Sequence, residues 1–191
     1  TAAKNRRVER VNMIPLSIPN FEGNEEKYAL DAVREGWVST GGAYIGRMEE
    51  MLARFLNAPQ TAACQSGTAA LHLALRECGV EAGDLVIVPT LTFIAAVNPV
   101  RYQGADPVFM DCDDSLCMDP VKLRAFCEED CEWDGECLRD KRDRRRVRAI
   151  VVVHVFGNLA DMEAIMSVAE EFGLPVIEDA TEALGSRFTA G

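Results

Sequence analysis

Apolar positions in this chain follow two periods in turn, one helical and one of short β-branched runs. From Asn24 to Glu35, Tyr28, Ala29, Ala32 and Val33 recur at helical spacing, with Asn24 as N-cap and Gly36 as stop. GWVSTGG (36–42) reads as a loop, and Ile45 to Leu56 forms an amphipathic helix with Ile45, Met48, Leu52, Phe55 and Leu56 on one side. Strands and helices then alternate. The pattern predicts a short strand near Thr61–Cys64, a helix Thr68–Cys78, a strand Leu85–Val88 and a helix from about Ile94 to Tyr102. A strand Pro107–Met110 follows, then a helix Asp119–Cys127 with Pro120 at its first position. Residues 130–146 are charged and read as a hairpin-like excursion around Trp133-Asp134-Gly135. Ala149–Val153 is a continuous β-branched run, as expected of a strand covered on both faces. A helix Met162–Phe172 and a strand Pro175–Ile177 complete the pattern. The alternation predicts an α/β domain with a mainly parallel sheet between helices over residues 14–191, after a flexible tail at 1–13.

Charge and cysteine usage narrow the function classes. A net charge of −11 argues against a nucleic-acid partner, which needs a basic surface. The local run Arg142, Arg144, Arg145, Arg146 and Arg148 is offset by Asp140 and Asp143, and reads as a solvated turn. Any anionic ligand must therefore be held by local donors and not by the field of the whole protein. No apolar stretch reaches the ~20 residues needed to span a bilayer, so no membrane partner is expected. The first residues lack the apolar core of a signal peptide. The seven cysteines never form a C-x-x-C pair, and only His72 and His154 offer imidazole, so no metal site is predicted. An odd number of thiols suits a reducing cytoplasm.

Four places carry candidate chemistry. Ser66-Gly67-Thr68 lies between a short strand and a helix, where free amides of a first helical turn bind phosphate, although capping by Ser66 or Thr68 is an ordinary alternative. Phe93 follows a strand at its carboxyl end, where open α/β sheets place ligands, and is otherwise a core aromatic. Asp179 ends the run LPVIED, where a carboxylate can accept from a pyridinium N–H and keep that nitrogen protonated, or simply close a turn. His154 ends AIVVVH and reads as a structural histidine, while Asn158 and Asp161 read as capping groups of the next helix.

PLSIPNFEGNE with GWVSTGG, CQSGTAALHLAL, GDLVIVPTLTFIAAVNPVRYQGADPVFMD, VVVHVFGNLADM and VIEDATEALGS together span most of residues 14–188. In these segments the chain resembles the N-terminal part of DegT/DnrJ/StrS-type sugar aminotransferases, a fold-type I pyridoxal-phosphate family. TLTFIAAVNPVRY, CEWDGE and VHVFG most resemble the branch of the legionaminic acid pathway, which aminates a nucleotide-linked 4-keto-6-deoxy-N-acetylhexosamine.

The resemblance implies an incomplete large domain, truncated before the cofactor lysine. The four lysines, Lys4, Lys27, Lys122 and Lys141, all precede Asp179. It places Gly67 and Thr68 at the phosphate of pyridoxal 5′-phosphate, Phe93 on its ring, Asp179 at the ring nitrogen as the catalytic carboxylate, and Glu182 near the ring hydroxyl. Many relatives carry glutamine at the last of these, and Glu178 is a weaker candidate. Ser39 and Thr40 become substrate or cross-subunit contacts, or else surface turn. The implied partners are a nucleotide sugar, an amino donor expected to be glutamate, and a second copy of the chain. A sugar 3-dehydratase, with histidine in place of the lysine, and a non-catalytic fragment are the alternatives. A nicotinamide dehydrogenase is not, because no G-x-G-x-x-G occurs.

Overall fold

The computed structural model describes residues 14–15, 18–37, 39 and 41–188, so the tail reading for 1–13 lies outside the described residues. The chain divides into two compact units, one ending at Ala63 and one beginning at Cys64.

The first unit carries α1 (Glu25–Glu35) and α2 (Ala43–Leu56). Gly36 ends α1 with φ of 75°, a left-handed value that glycine adopts without steric cost. Asn24 occupies the N-cap position, but its side chain makes no capping bond. The apolar side of α2 is present in sequence, yet neither helix buries a residue, and Met48, Phe55 and Leu56 are about half exposed. Tyr28 and Tyr44 pack with ring centroids 5.5 Å apart, and the Arg47 guanidinium lies 5.2 Å from the Tyr28 ring centre. No strand forms at Thr61–Cys64. The Thr61 hydroxyl donates to the Glu49 carbonyl (2.7 Å) and the Ala63 amide to the Glu49 carboxylate (2.8 Å), so the segment is tied to α2 and the Ala63 amide is taken from any ladder.

The second unit is built on α3 (Gly67–Glu77), β1 (Leu85–Pro89), α4 (Asn98–Tyr102), β2 (Asp106–Met110), α5 (Pro120–Ala125), β3 (Cys131–Trp133), β4 (Leu138–Asp140), β5 (Val147–Val153), α6 (Met162–Glu171) and β6 (Val176–Asp179). Four strands form a wholly parallel sheet in the order β2-β1-β5-β6. The expected helix Ile94–Tyr102 is broken. Ile94–Ala96 is a 3-10 turn and α4 starts at Asn98, because Pro99 has no amide to continue the ladder from the turn before it. Similarly, the helix expected to Cys127 ends at Ala125 and opens into a π-helical turn, Phe126–Asp130. The charged excursion is the antiparallel pair β3–β4.

Two cores sandwich the sheet. Leu85, Ile87, Ile150 and Val152 face Leu123 of α5 and Ile165 and Val168 of α6. Val86, Val88, Ala149 and Val151 face Leu71 and Leu75 of α3 and Val100 of α4. This is why β1 and β5 read as unbroken apolar runs: both faces are covered, and alternate side chains enter different cores. Fully burying one such aliphatic side chain contributes about 1.5–3 kcal/mol.

Candidate functional site

From β1 the chain crosses one face through α4 to reach β2, whereas from β5 it crosses the other face through α6 to reach β6. β1 and β5 are neighbours, so the connections diverge above their carboxyl ends and open a crevice there. A cavity of about 540 Å³ occupies that position. Its wall combines the start of α3 (Gly67, Thr68, Leu71) with the segment after β1 (Leu91, Thr92, Phe93, Ala95). Val153, Val155 and Phe156 from β5 and its following turn, and Asp179, Thr181 and Glu182 from β6 and beyond, close the rest.

Ser66 caps α3, its hydroxyl accepting from the Ala69 amide at 3.2 Å. The amides of Gly67 and Thr68 have no acceptor among the described residues and stand at the positive end of an 11-residue helix. A β-carbon added to Gly67 would meet only the Thr181 hydroxyl, 3.9 Å away, so the approach to those amides is open. Capping by Ser66 therefore does not use up the site: it satisfies one amide and leaves the two before it without an acceptor among the described residues.

Asp179 is half-buried at the end of β6. Its Oδ1 accepts twice from Thr181, from the amide at 3.1 Å and the hydroxyl at 2.5 Å. Its Oδ2 has no partner among the described residues. Glu182 points one oxygen at the backbone, Oε2 accepting the Phe156 amide at 2.8 Å. Phe156 has φ of 56°, a left-handed conformation uncommon for a bulky residue. Gly157 follows with φ of 82° and passes so close to the Glu182 carbonyl that a β-carbon would lie 3.0 Å from it. The turn after β5 and the segment after β6 are therefore fastened together, and Phe156 is left exposed on the cavity wall.

Gly67, Thr68, Phe93, Asp179 and Glu182, five of the residues singled out in sequence, line this one cavity. Phe93 is 79% exposed, so the core alternative does not hold for it. Ser39 is exposed and belongs to the other compact unit, and Thr40 lies outside the described residues. His154 is buried and structural, its Nδ1 accepting the Ala160 amide at 3.1 Å. Asp161 caps α6 by accepting from the Ala164 amide. Asn158 does not: its side-chain amide donates instead to the Ser115 carbonyl, because it lies in the turn before the helix begins. Sequence reasoning missed Phe156 and Thr181. The Asp-x-Thr spacing was a readable signal for the second, since Asp accepts from the backbone two residues on.

Residues 19–190 match the DegT/DnrJ/EryC1/StrS aminotransferase family, and the chain belongs to it. The family is one of pyridoxal-phosphate-dependent aminotransferases. A GDP-perosamine synthase of Vibrio cholerae is 36% identical over 180 residues, covering 91% of this chain and 43% of that protein. A UDP-4-amino-4-deoxy-L-arabinose–oxoglutarate aminotransferase of Shewanella sediminis is 32% identical over 176 residues, with coverage of 92% and 41%. Among solved structures, an aminotransferase from Psychrobacter cryohalolentis superposes with a TM-score of 0.75 at 30% identity, covering 91% of this chain and 41% of that one. The chain thus spans about two fifths of the length of the relatives it matches.

The cavity residues fit the family's cofactor. Unpaired amides at the start of α3 suit a phosphate, the exposed face of Phe93 suits a flat ring, and the free Oδ2 of Asp179 suits a protonated ring nitrogen. Lys122 and Lys141 are engaged elsewhere, with Asp111 at 2.6 Å and with the Glu129 carbonyl at 2.6 Å respectively.

Proposed function

We propose that this chain is the cofactor-binding part of an enzyme that moves an amino group from glutamate to the 4-keto carbon of a nucleotide-linked 4-keto-6-deoxy-(N-acetyl)hexosamine. The products are the 4-amino sugar and 2-oxoglutarate. The observation that carries the reading is the convergence of the free α3 amides, Phe93 and the half-satisfied Asp179 carboxylate on one cavity. The names of the Vibrio and Shewanella relatives support nucleotide sugars as the substrate class, and the legionaminic acid branch is the specific pathway we assign from TLTFIAAVNPVRY, CEWDGE and VHVFG.

Pyridoxal phosphate, when bound, supplies an electron-withdrawing ring that stabilises negative charge at the reacting carbon. The chain's own residues would do the rest. Gly67 and Thr68 hold the phosphate through their amides, aided by the dipole of α3. Phe93 offers an aromatic face and, with Phe156 and Leu91, keeps water from the ring. The Asp179 Oδ2 keeps a proton on the ring nitrogen. Glu182 retains one oxygen, Oε1, for a polar group at the cavity. We assign Ser39 and Thr40 to substrate contacts. The assembly we propose is a homodimer, supported by the exposure of large apolar groups such as Leu184 and Phe188 outside the cavity lining. A cytoplasmic setting accords with seven free cysteines.

The test is a chimera in which residues 1–188 replace the matching part of a perosamine synthase. Incubated with glutamate and a nucleotide-linked 4-keto-6-deoxyhexosamine, it should form the 4-amino sugar and 2-oxoglutarate in equal amounts. A folded, cofactor-loaded chimera that consumes no keto sugar overturns the assignment.

A further inference from the structure

Thr181 lies beside Asp179 on the cavity wall. Its amide and hydroxyl both donate to the Oδ1 of Asp179, at 3.1 and 2.5 Å, and the same hydroxyl is the nearest atom to the open side of Gly67. Two donors on one oxygen fix the carboxylate plane and leave Oδ2 as the one acceptor of Asp179 without a partner among the described residues. Threonine is suited to this, because branching at the β-carbon restricts χ1 and so limits the orientations of the hydroxyl. We propose that Thr181 is a positioning residue that aims Oδ2 of Asp179 at a cationic N–H of the bound ligand, and so sets how strongly the site prefers a protonated heteroaromatic ring. This rests on the reading of the cavity as a pyridoxal-phosphate site. A turn that merely closed the loop after β6 would need the amide bond alone. The hydroxyl bond is the one that orients the carboxylate.

The experiment uses the 191-residue chain and three probes that need no lysine: pyridoxamine 5′-phosphate, its analogue with carbon in place of the ring nitrogen, and inorganic phosphate. Affinities are measured by calorimetry for the wild type, Thr181→Val and Thr181→Ser. Thr181 is exposed, so neither substitution disturbs the core. The wild type should bind the nitrogen-bearing ring about tenfold or more tightly than the carbon analogue, as expected of one charge-assisted hydrogen bond. Thr181→Val should bring that ratio to within about threefold by losing the aim of the carboxylate, while phosphate affinity stays unchanged. Thr181→Ser, which keeps a hydroxyl, should restore most of the ratio. A wild-type ratio that Thr181→Val leaves whole overturns the proposal alone. A wild type indifferent to the ring nitrogen overturns both the proposal and the site on which it rests.

Discussion

Arg146 grips the nearly buried carboxylate of Asp84 with two hydrogen bonds, Nε to Oδ1 at 2.9 Å and Nη2 to Oδ2 at 2.6 Å. The pair joins the residue before β1 to the residue before β5, next to the register shift between Leu85 and Val86. Donating to the Asp84 carboxylate holds the Arg146 guanidinium protonated even more firmly than usual. The arginine run that reads as a solvated turn in sequence thus includes a clamp on the amino-terminal edge of the sheet.

Arg146→Ala should therefore cost roughly 2–3 kcal/mol of stability, because it removes the charged partner of a buried carboxylate and leaves it the Glu81 amide alone. Arg146→Lys should recover only part of this, since an ammonium cannot reproduce the two-pronged contact. Urea unfolding of the three proteins checks the order. Equal midpoints for wild type and Arg146→Ala would show that the clamp contributes nothing.

Gly67 tests the approach to the α3 amides. Gly67→Ala has room for its methyl group and should leave both fold and pyridoxamine-phosphate binding close to wild type. Gly67→Leu should weaken binding by about tenfold or more, by obstructing the anion's path to the helix N-terminus. Titration followed by the ligand's own absorbance measures both.

Glu182 should govern the conformation of Phe156 through the bond to its amide. In Glu182→Ala the Phe156 amide should exchange with solvent about tenfold faster, the loss expected for one hydrogen bond. Glu182→Gln keeps an acceptor oxygen and should change the rate little. Hydrogen exchange followed by mass spectrometry or NMR reads the difference, and identical rates in all three proteins would remove the latch.

The buried thiols give a pH dependence. Burial pushes Cys127 and Cys131 up to about 12, from 9.0 for a free thiol. The folded state holds these protons more tightly than the unfolded chain does. Their contribution to stability is therefore fully present below about pH 9 and declines as the pH rises toward 12. Unfolding midpoints should fall across that window, and Cys127→Ala/Cys131→Ala should flatten the decline. At pH 8 iodoacetamide should modify the exposed Cys64 well before either buried thiol.

In the chimera, Asp179→Asn should lower turnover by roughly a hundredfold or more, at ~1.4 kcal/mol of barrier per tenfold, and weaken cofactor binding by only about tenfold, the share of one charge-assisted hydrogen bond. The amide preserves the shape of the side chain but cannot hold a proton on the ring nitrogen. Turnover near the wild-type value would reduce Asp179 to a turn residue.

Much of the second unit was legible because its signals are local. The unbroken apolar run at Ala149–Val153 required two covered faces, and the structure puts alternate residues into separate cores. Pro120 and Asp119 announced the start of α5, where the Asp119 side chain accepts from the Val121 and Lys122 amides. At Thr61–Cys64, where a strand was expected, the Ala63 amide that a ladder would use goes to the Glu49 carboxylate, and the Thr61 hydroxyl anchors the segment to the Glu49 carbonyl. Local spacing gave no warning of a partner twelve residues back.

What the sequence determined by itself is the alternation of strand and helix, and with it the placing of Gly67, Phe93 and Asp179 at the start of a helix, or at or beyond the carboxyl end of a strand, where periodicity and chain ends are decided within a few residues. Tertiary structure decided what these residues can reach. Glu182 meets the Phe156 amide across 26 positions of sequence and Arg146 meets Asp84 across 62, contacts that exist only because parallel crossovers return distant strand ends to one edge of the sheet. The left-handed turn at Phe156 and the burial of Asp84 follow from that return, and no window of neighbouring residues contains the partners that stabilise them.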